Sequence, residues 1–426
     1  MTSKNKIIYI LSFIILTFIA SISIVYFIAK KQIKDSYHVL RDNEEYFKPD
    51  SIKSDSTSNP KAYQSEIKKI DSLALKFIDS VQSSNPNKNI KFKGKKICIM
   101  ITGVDSRLGS NCKHADANHL VTVWLDEGKV EITSIPRGTY ADAGFEPNDT
   151  LDFNYLANVR ANQGREKYFK EVCNIAQVDK INYYIEFGFS QAIGLLELIG
   201  FKDNSVQMLR MLRSRQAFKT GDFQRSYNQG QFIRQMILKL FPQTKGITLD
   251  ILIRGGLYLV ETNLTYDICN EIINKLKEKG FPHNNNDVIL KVMPKLTDKF
   301  LYFDFTNKKS EDSLYSQVSQ TAIRLKLNEK SNSSIDLSKN VSQILSDKIK
   351  SAIPDTLKNP QKAIQKLLSF YEQKAWYQVT DSIQRAILRR QICAILIASY
   401  NKTKQSQKSI QINKYLDAED KKFNLK

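Results

Sequence analysis

Residues 96–107 read KICIMITGVDSR, an apolar run from Lys96 to Thr102 that stops at Gly103-Val104-Asp105-Ser106-Arg107. A continuous apolar run of this length predicts a strand covered on both faces. Because it stops at a carboxylate and a guanidinium, both stand at the strand's carboxyl end, where ligands bind in open α/β sheets. Working outward, HLVTVWL (119–125) and VEITSIPR (130–137) are two β-rich runs separated by Asp126-Glu127-Gly128-Lys129, which reads as a hairpin. That turn brings Asp116 and Arg137, at opposite ends of the pair, to one rim of the sheet. Helical patterns over about 164–176 and 189–199, with NYYIEFGF (182–189) as a strand between them, complete the alternation. The expected fold is α/β: a mixed central sheet flanked by helices in an α-β-α sandwich.

The densest chemistry lies farther on, at Arg210-Met211-Leu212-Arg213-Ser214-Arg215 and then GDFQRSYNQ (221–229), which leads into an apolar helix. Arg213 and Arg215, two apart, point the same way if the segment is extended, forming a fork suited to phosphate. Asp222 and Arg225, three apart, share a helix face near a positively polarised helix start. The same spacing also suits a surface ion-pair network.

Composition narrows the partners. The 426 residues are 42% hydrophobic and 25% charged, which excludes a collagen-like or fully disordered chain, and their net charge of +20 favours an anionic partner. Five scattered cysteines (Cys98, Cys112, Cys173, Cys269, Cys393) have no C-x-x-C spacing and give no case for a disulfide framework. His114 and His119 beside Asp116 lack a third soft ligand for zinc. Gly103 and Gly109 lack the Lys-Ser/Thr of a P-loop, and Ser106 and Ser134 have no nucleophile-elbow context. Charge and abundant aromatics could suit single-stranded nucleic acid, but no basic-aromatic interleaving occurs, so no nucleic-acid partner is expected.

Residues 7–29 (IIYILSFIILTFIASISIVYFIA) are 23 in number and carry no charge. As a helix they extend roughly 34 Å, enough to span a bilayer core of about 30 Å. No small-x-small cleavage site precedes the flanking Lys30, Lys31 and Lys34, so a retained single-pass anchor is expected after a short flank at 1–6. Lysines lie on both sides of the span, so charge counting alone does not orient it. Residues 30–94 read as a polar stalk or linker around the short helical patch IKKIDSLALKFIDSV, and 95–295 as the α/β domain. Residues 296–400 read as a helical extension and 401–426 as a partly disordered tail. Arg385 and Arg389, four apart beside an apolar stripe, suit a helix packed in a small bundle, with a membrane surface or partner as the alternative.

The ordered set GVDSR, Asp116 eleven positions after Asp105, SIPRGTY (134–140), RSR (213–215) and GDFQR-x-x-x-Q (221–229) resembles the catalytic domain of the LytR-CpsA-Psr family. ETNLTYDICNEIINKL (261–276) is similar to that domain's closing helix start, so the likeness runs from about Lys95 to about Leu276. The resemblance implies a membrane-anchored phosphotransferase that moves a glycopolymer, such as teichoic acid or capsule, from a polyprenyl diphosphate carrier onto peptidoglycan, outside the cytoplasmic membrane. It implies that Asp105 and Asp116 hold Mg²⁺, with Mn²⁺ as the alternative, and that either could act as general base. Arg107, Arg137, Arg213, Arg215 and Arg225 would surround the phosphates, with Asp222 and Gln229 orienting them, and an apolar pocket would take the prenyl chain.

The sequence departs from the family pattern at four places. His114 stands where an Arg precedes the second acid by two, Gly138 where an Asp follows SIPR, and Asn228 where an Arg precedes the Gln. The stretch before RSR is cut down to residues 200–209. These changes fit a divergent enzyme with another glycan or carrier, or a relative that binds the lipid without turnover.

Overall fold

The strand expected at 96–102 runs on to its carboxylate: β2 spans Lys96–Asp105 and pairs antiparallel with β3 (His114–Trp124), which pairs antiparallel with β4 (Lys129–Ser134). In this computed structural model β5 (Tyr183–Phe187) lies parallel beside β2, and β6 (Glu261–Thr262) is antiparallel to β5. On the other side β7 (Val288–Val292) is parallel to β4. The result is the expected mixed sheet, of six strands in the order β6-β5-β2-β3-β4-β7. A separate pair joins β1 (Ser83–Ser84) to β8 (Phe300–Leu301).

The structure describes residues 83–84, 93–106, 108–109, 113–146, 153–243, 245–296, 299–328 and 337–424, all within the unit Ala74–Lys426. The expected anchor at 7–29, its flank, most of the 30–94 stretch and Arg107 lie outside the described residues. Among the described residues no helix is long and apolar enough to cross a membrane.

Helices cover both sheet faces. On one, α1 (Leu156–Asn162) and α2 (Gly164–Ala176) bury Leu156, Tyr168 and Val172 against Met100 and Leu120. Next in the chain come α3 (Phe189–Leu198), α4 (Ser205–Arg213), α5 (Asp222–Gln243), α6 (Gly246–Leu259) and α7 (Tyr266–Glu278). On the second face, α5 and α7 pack Tyr227, Ile272 and Leu276 against Val121, Ile132 and Leu290. Helix α5 lies hard on the sheet at Gly230, where any Cβ would overlap Ser134 Oγ and Leu290.

The shortened stretch at 200–209 folds as a turn leading into α4. The C-terminal extension is helical, as expected: α8 (Lys308–Asn328), α9 (Leu337–Lys358), α10 (Pro360–Glu372), α11 (Ser382–Lys402) and α12 (Ser406–Asn424). Asn359 caps α10 by accepting from Lys362 N at 3.2 Å, with Pro360 in the first turn, and Asp381 caps α11 by accepting from Gln384 N at 2.6 Å. Phe370, Trp376 and Leu396 share one apolar cluster with Ile193, Leu196 and Leu212 of the sheet-bearing part. Removing the extension would therefore uncover the backs of α3 and α4.

The expectation of a partly disordered tail after residue 401 is corrected over Ser406–Asn424, which form α12. The composition there is polar, but Ser409, Ile412, Tyr415 and Glu419 recur at helical spacing and are all buried. Glu419 accepts from Tyr377 OH at 2.8 Å and pairs with Arg389 at 3.1 Å, with both charged side chains under 5% exposed. Arg385 grips both oxygens of Glu197 at 2.8 Å, so it ties α11 to α3 while Arg389 ties α11 to α12. Between them and α10, Lys374 takes a left-handed backbone at φ 51°. Its ammonium lies 3.7 Å from the centre of the Tyr371 ring and 4.4 Å from that of Tyr415, and burial holds its pKa down to about 8.

Candidate active site

The carboxyl ends of β2 and β5 and the start of β3 form the floor of a cavity of about 510 Å³. Its walls are α3, α4 and α5, through Ala192, Leu196, Leu212, Phe232, Met236 and Phe241. Polar side chains gather at one region of this otherwise apolar lining: Asp105, Asp116, His119, Arg213, Arg225 and Gln229. Along α5, the lining residues Arg225 and Phe241 are sixteen apart, which at the rise of a helix is about 24 Å. The cavity thus has a charged part and a long apolar part.

A bulge sets the acid. Gly103 pairs with Ala117 and Val104 with Ala115, leaving Asp116 as the extra residue on β3. Bulges re-aim side chains beside binding sites, and this one also frees the Asp116 carbonyl, which accepts from Arg225 Nη2 at 3.3 Å. Gly103 allows the close approach: a Cβ there would stand 3.0 Å from Ala117 Cβ. Arg137, beyond the end of β4, donates to Asp116 Oδ1 at 2.5 Å, so the hairpin does bring the two to one rim. Among the described residues Asp105, at the end of β2, has no ion-pair partner.

Arg225 is the buried cation. Its side chain is 7% exposed, and Nη2 lies 2.9 Å from Asp222 Oδ1. That contact is an ion pair without hydrogen-bond alignment, since Asp222 Oδ1 and Arg225 Nε are both buried with no hydrogen-bond partner among the described residues. Burial pulls the guanidinium's pKa down while Asp222 and Asp116 oppose that pull. An arginine lining a cavity with a spare buried donor is suited to an anion. Asp222 also lies 3.9 Å from Arg215, so it orients two guanidiniums rather than facing phosphate itself.

The expectation of an extended Arg213–Arg215 fork is corrected. Arg213 closes α4 as its last helical residue, and Ser214 after it is extended. The guanidinium of Arg213 lies 4.9 Å from the Phe189 ring centre at the cavity, while Arg215 is half-exposed and turned toward Asp222. The apolar pair Met211 and Leu212, both buried, extends the helix through the arginine that sequence spacing had left free.

Gln229 donates to Leu212 O at 2.9 Å and accepts from His119 Nε2 at 3.2 Å. That assigns the ring proton to Nε2 and makes Ser134 Oγ the donor to Nδ1 at 2.8 Å. Both ring nitrogens are therefore used. Burial, with Arg225 adding to it and the Gln229 bond opposing, holds His119 down to about 4, so the imidazole is neutral at neutral pH. His119 is the site residue whose role the sequence reading passed over; its place six residues into β3 on the cavity side was the available signal. Position 138 also belongs here, since a Cβ on Gly138 would meet Asp222 Oδ2 at 3.9 Å. Asn228, in contrast, is buried and accepts from Gln224 at 2.8 Å.

Among the described residues no group of three His, Cys, Asp or Glu side chains could hold a metal by itself. Asp105 and Asp116 both line the cavity, and their chemistry fits Mg²⁺, which takes one or two carboxylates and completes its shell with phosphates and water. Arg137 occupies only Oδ1 of Asp116, leaving Oδ2 for a cation.

A cationic region beside a long apolar cavity, set at the carboxyl end of a mixed sheet in an α/β protein, offers surfaces complementary to an amphiphilic anion. Residues 57–199, about a third of the chain, match the model of the LytR_cpsA_psr family. No curated protein matches the chain. Among solved structures it is similar to B. subtilis TagV at 18% identity, over 54% of this chain and 99% of that one, with a TM-score of 0.39. A transcriptional regulator from Enterococcus faecalis is 17% identical over 55% of this chain and 95% of its own, with a TM-score of 0.36. TagT bound to LI-WTA is 13% identical over 55% of this chain and 94% of its own, with a TM-score of 0.35.

Proposed function

We propose that this chain is a membrane-anchored phosphotransferase that moves a glycopolymer from a polyprenyl diphosphate carrier onto peptidoglycan. The observation that carries the reading is the 510 Å³ cavity, apolar along its walls and lined at one region by Arg213, Arg225, Asp105 and Asp116. A greasy chain with a doubly phosphorylated head matches both parts at once. The family match over 57–199 supports wall-polymer transfer as the class of reaction. With residues 7–29 as anchor, the domain would stand at the outer face of the cytoplasmic membrane.

In this reading Arg225 and Arg213 hold the diphosphate oxygens, and Arg137 and Arg215 add charge at the rim. Mg²⁺ or Mn²⁺ on Asp105 and Asp116 would neutralise charge that builds on the phosphate oxygens. An acceptor hydroxyl of peptidoglycan attacks the sugar-bearing phosphorus. A new phosphorus–oxygen bond forms while the bond from that phosphorus to the bridging oxygen breaks, and polyprenyl phosphate leaves with the electron pair. The hydroxyl proton passes to a carboxylate; Asp105, which no described cation engages, has an oxygen to take it. Asp116 is already ion-paired with Arg137.

A second reading, a relative that binds the lipid without turnover, draws on Gly138, which leaves the space beside Asp222 without a carboxylate. Incubating the purified protein with a glycan-bearing polyprenyl diphosphate, Mg²⁺ and peptidoglycan divides the two. Release of polyprenyl phosphate, lost in Asp105→Asn, is expected for the enzyme. Tight binding with no release would leave the scaffold reading standing.

A further inference from the structure

A second cavity, of about 420 Å³, opens between facing stripes of α4 and α8. Val206, Arg210 and Arg213 follow at helical spacing along α4, and Val318 and Thr321 answer them from α8. Phe189 and Arg213 line this cavity and the first alike, so the two spaces meet at one aromatic ring and one guanidinium. Arg210 belongs to the second alone.

Arg210 and Arg213 are like charges three apart on one helix face, which repel each other. Neither has a carboxylate partner among the described residues; the nearby acid, Asp222, goes to Arg215 and Arg225 instead. The helix dipole favours cations at this end of α4, which accounts for two arginines in its last turns. It does not account for a walled space between them and α8, nor for the apolar Phe189 and Val206 beside them. A ligand with a flat apolar face and a negative charge would use both.

We infer that this second cavity holds the first sugar of the donor glycan, and that this sugar carries an anionic group, a carboxylate or a phosphate. The inference rests on the reading of the first cavity as the polyprenyl diphosphate site: a sugar on the outer phosphate beside Arg213 has the second cavity next to it. Its far wall comes from α8, beyond the 57–199 segment that matches the family, so the subsite is a feature of this chain's extension.

Calorimetric titration of the full chain with farnesyl diphosphate, farnesyl diphospho-glucose and farnesyl diphospho-glucuronic acid tests it. The native chain is expected to bind the glucuronic ligand about tenfold more tightly than the glucose ligand, as befits a charge-assisted contact. Arg210→Gln should remove most of that preference. Val318→Trp, which fills the cavity, should bring both sugar ligands to the affinity of bare farnesyl diphosphate. Bare farnesyl diphosphate should bind all three proteins equally. Equal affinity of the native chain for the two sugar ligands, or a full preference retained in Arg210→Gln, would overturn the inference while leaving the lipid site intact. Failure of bare farnesyl diphosphate to bind the native chain would overturn the lipid reading and this inference with it.

Discussion

Replacing Arg225 by Gln removes a guanidinium that is buried at the first cavity, 7% exposed, while keeping a polar side chain there. The stability cost is bounded by what it leaves behind. Asp222 is 27% exposed and keeps Arg215 3.9 Å from Oδ2, so only its buried Oδ1 loses a partner. The loss should be about 1–2 kcal/mol, well short of the 3–5 expected when a fully buried pair is broken. Binding should suffer more. A guanidinium to phosphate contact in a desolvated site contributes roughly 1.5–3 kcal/mol, which converts to a loss of about ten- to hundredfold in affinity for a polyprenyl diphosphate. Displacement of a fluorescent prenyl diphosphate, with a thermal melt on the same sample, reads both numbers. A folded variant that binds within twofold of the native chain would refute the role given to Arg225.

Three further outcomes follow from the same geometry. His119, neutral and held down to about 4 in the fold, binds a proton in the unfolded chain below about 6.5. Unfolding therefore takes up a proton between those values, so stability should fall by about 3 kcal/mol as pH drops from 6.5 to 4; His119→Gln should flatten that part of the melting profile, and an unchanged slope would contradict the assignment. Arg389→Ala should destabilise by about 3–5 kcal/mol because it leaves Glu419 buried and unpaired, whereas Arg389→Met combined with Glu419→Leu should recover most of the loss in denaturant titrations. Ala192→Phe projects a ring into the first cavity and should weaken a long-chain prenyl diphosphate by at least tenfold while leaving inorganic diphosphate binding unchanged; equal losses for both would mean that the cavity does not hold the chain.

Much of the sheet was legible because its signals are local. The apolar run ending at Asp105 and the hairpin joining Asp116 to Arg137 depend on neighbours within about forty residues, and both stand as read. The bulge at Asp116 was not legible, since it is decided by the register of β2 against β3 and by the room left at Gly103. The Arg213–Arg215 fork failed for a related reason: two apolar residues, Met211 and Leu212, had a core to enter, and the helix ran on to meet it. The tail after residue 401 shows the limit of composition, because a stripe of four buried positions suffices to fold a polar segment once a partner surface such as Arg389 and Tyr377 exists. The second cavity could not be read at all, since its walls come from segments about a hundred residues apart.

A crystal structure of the chain soaked with geranylgeranyl diphosphate is the sharpest trial of the whole account. Continuous density is expected from a diphosphate beside Arg225 and Arg213, along α5 between Leu212 and Phe232, toward Phe241. Density for the chain on the outer surface, or a diphosphate held away from Arg225, would contradict it.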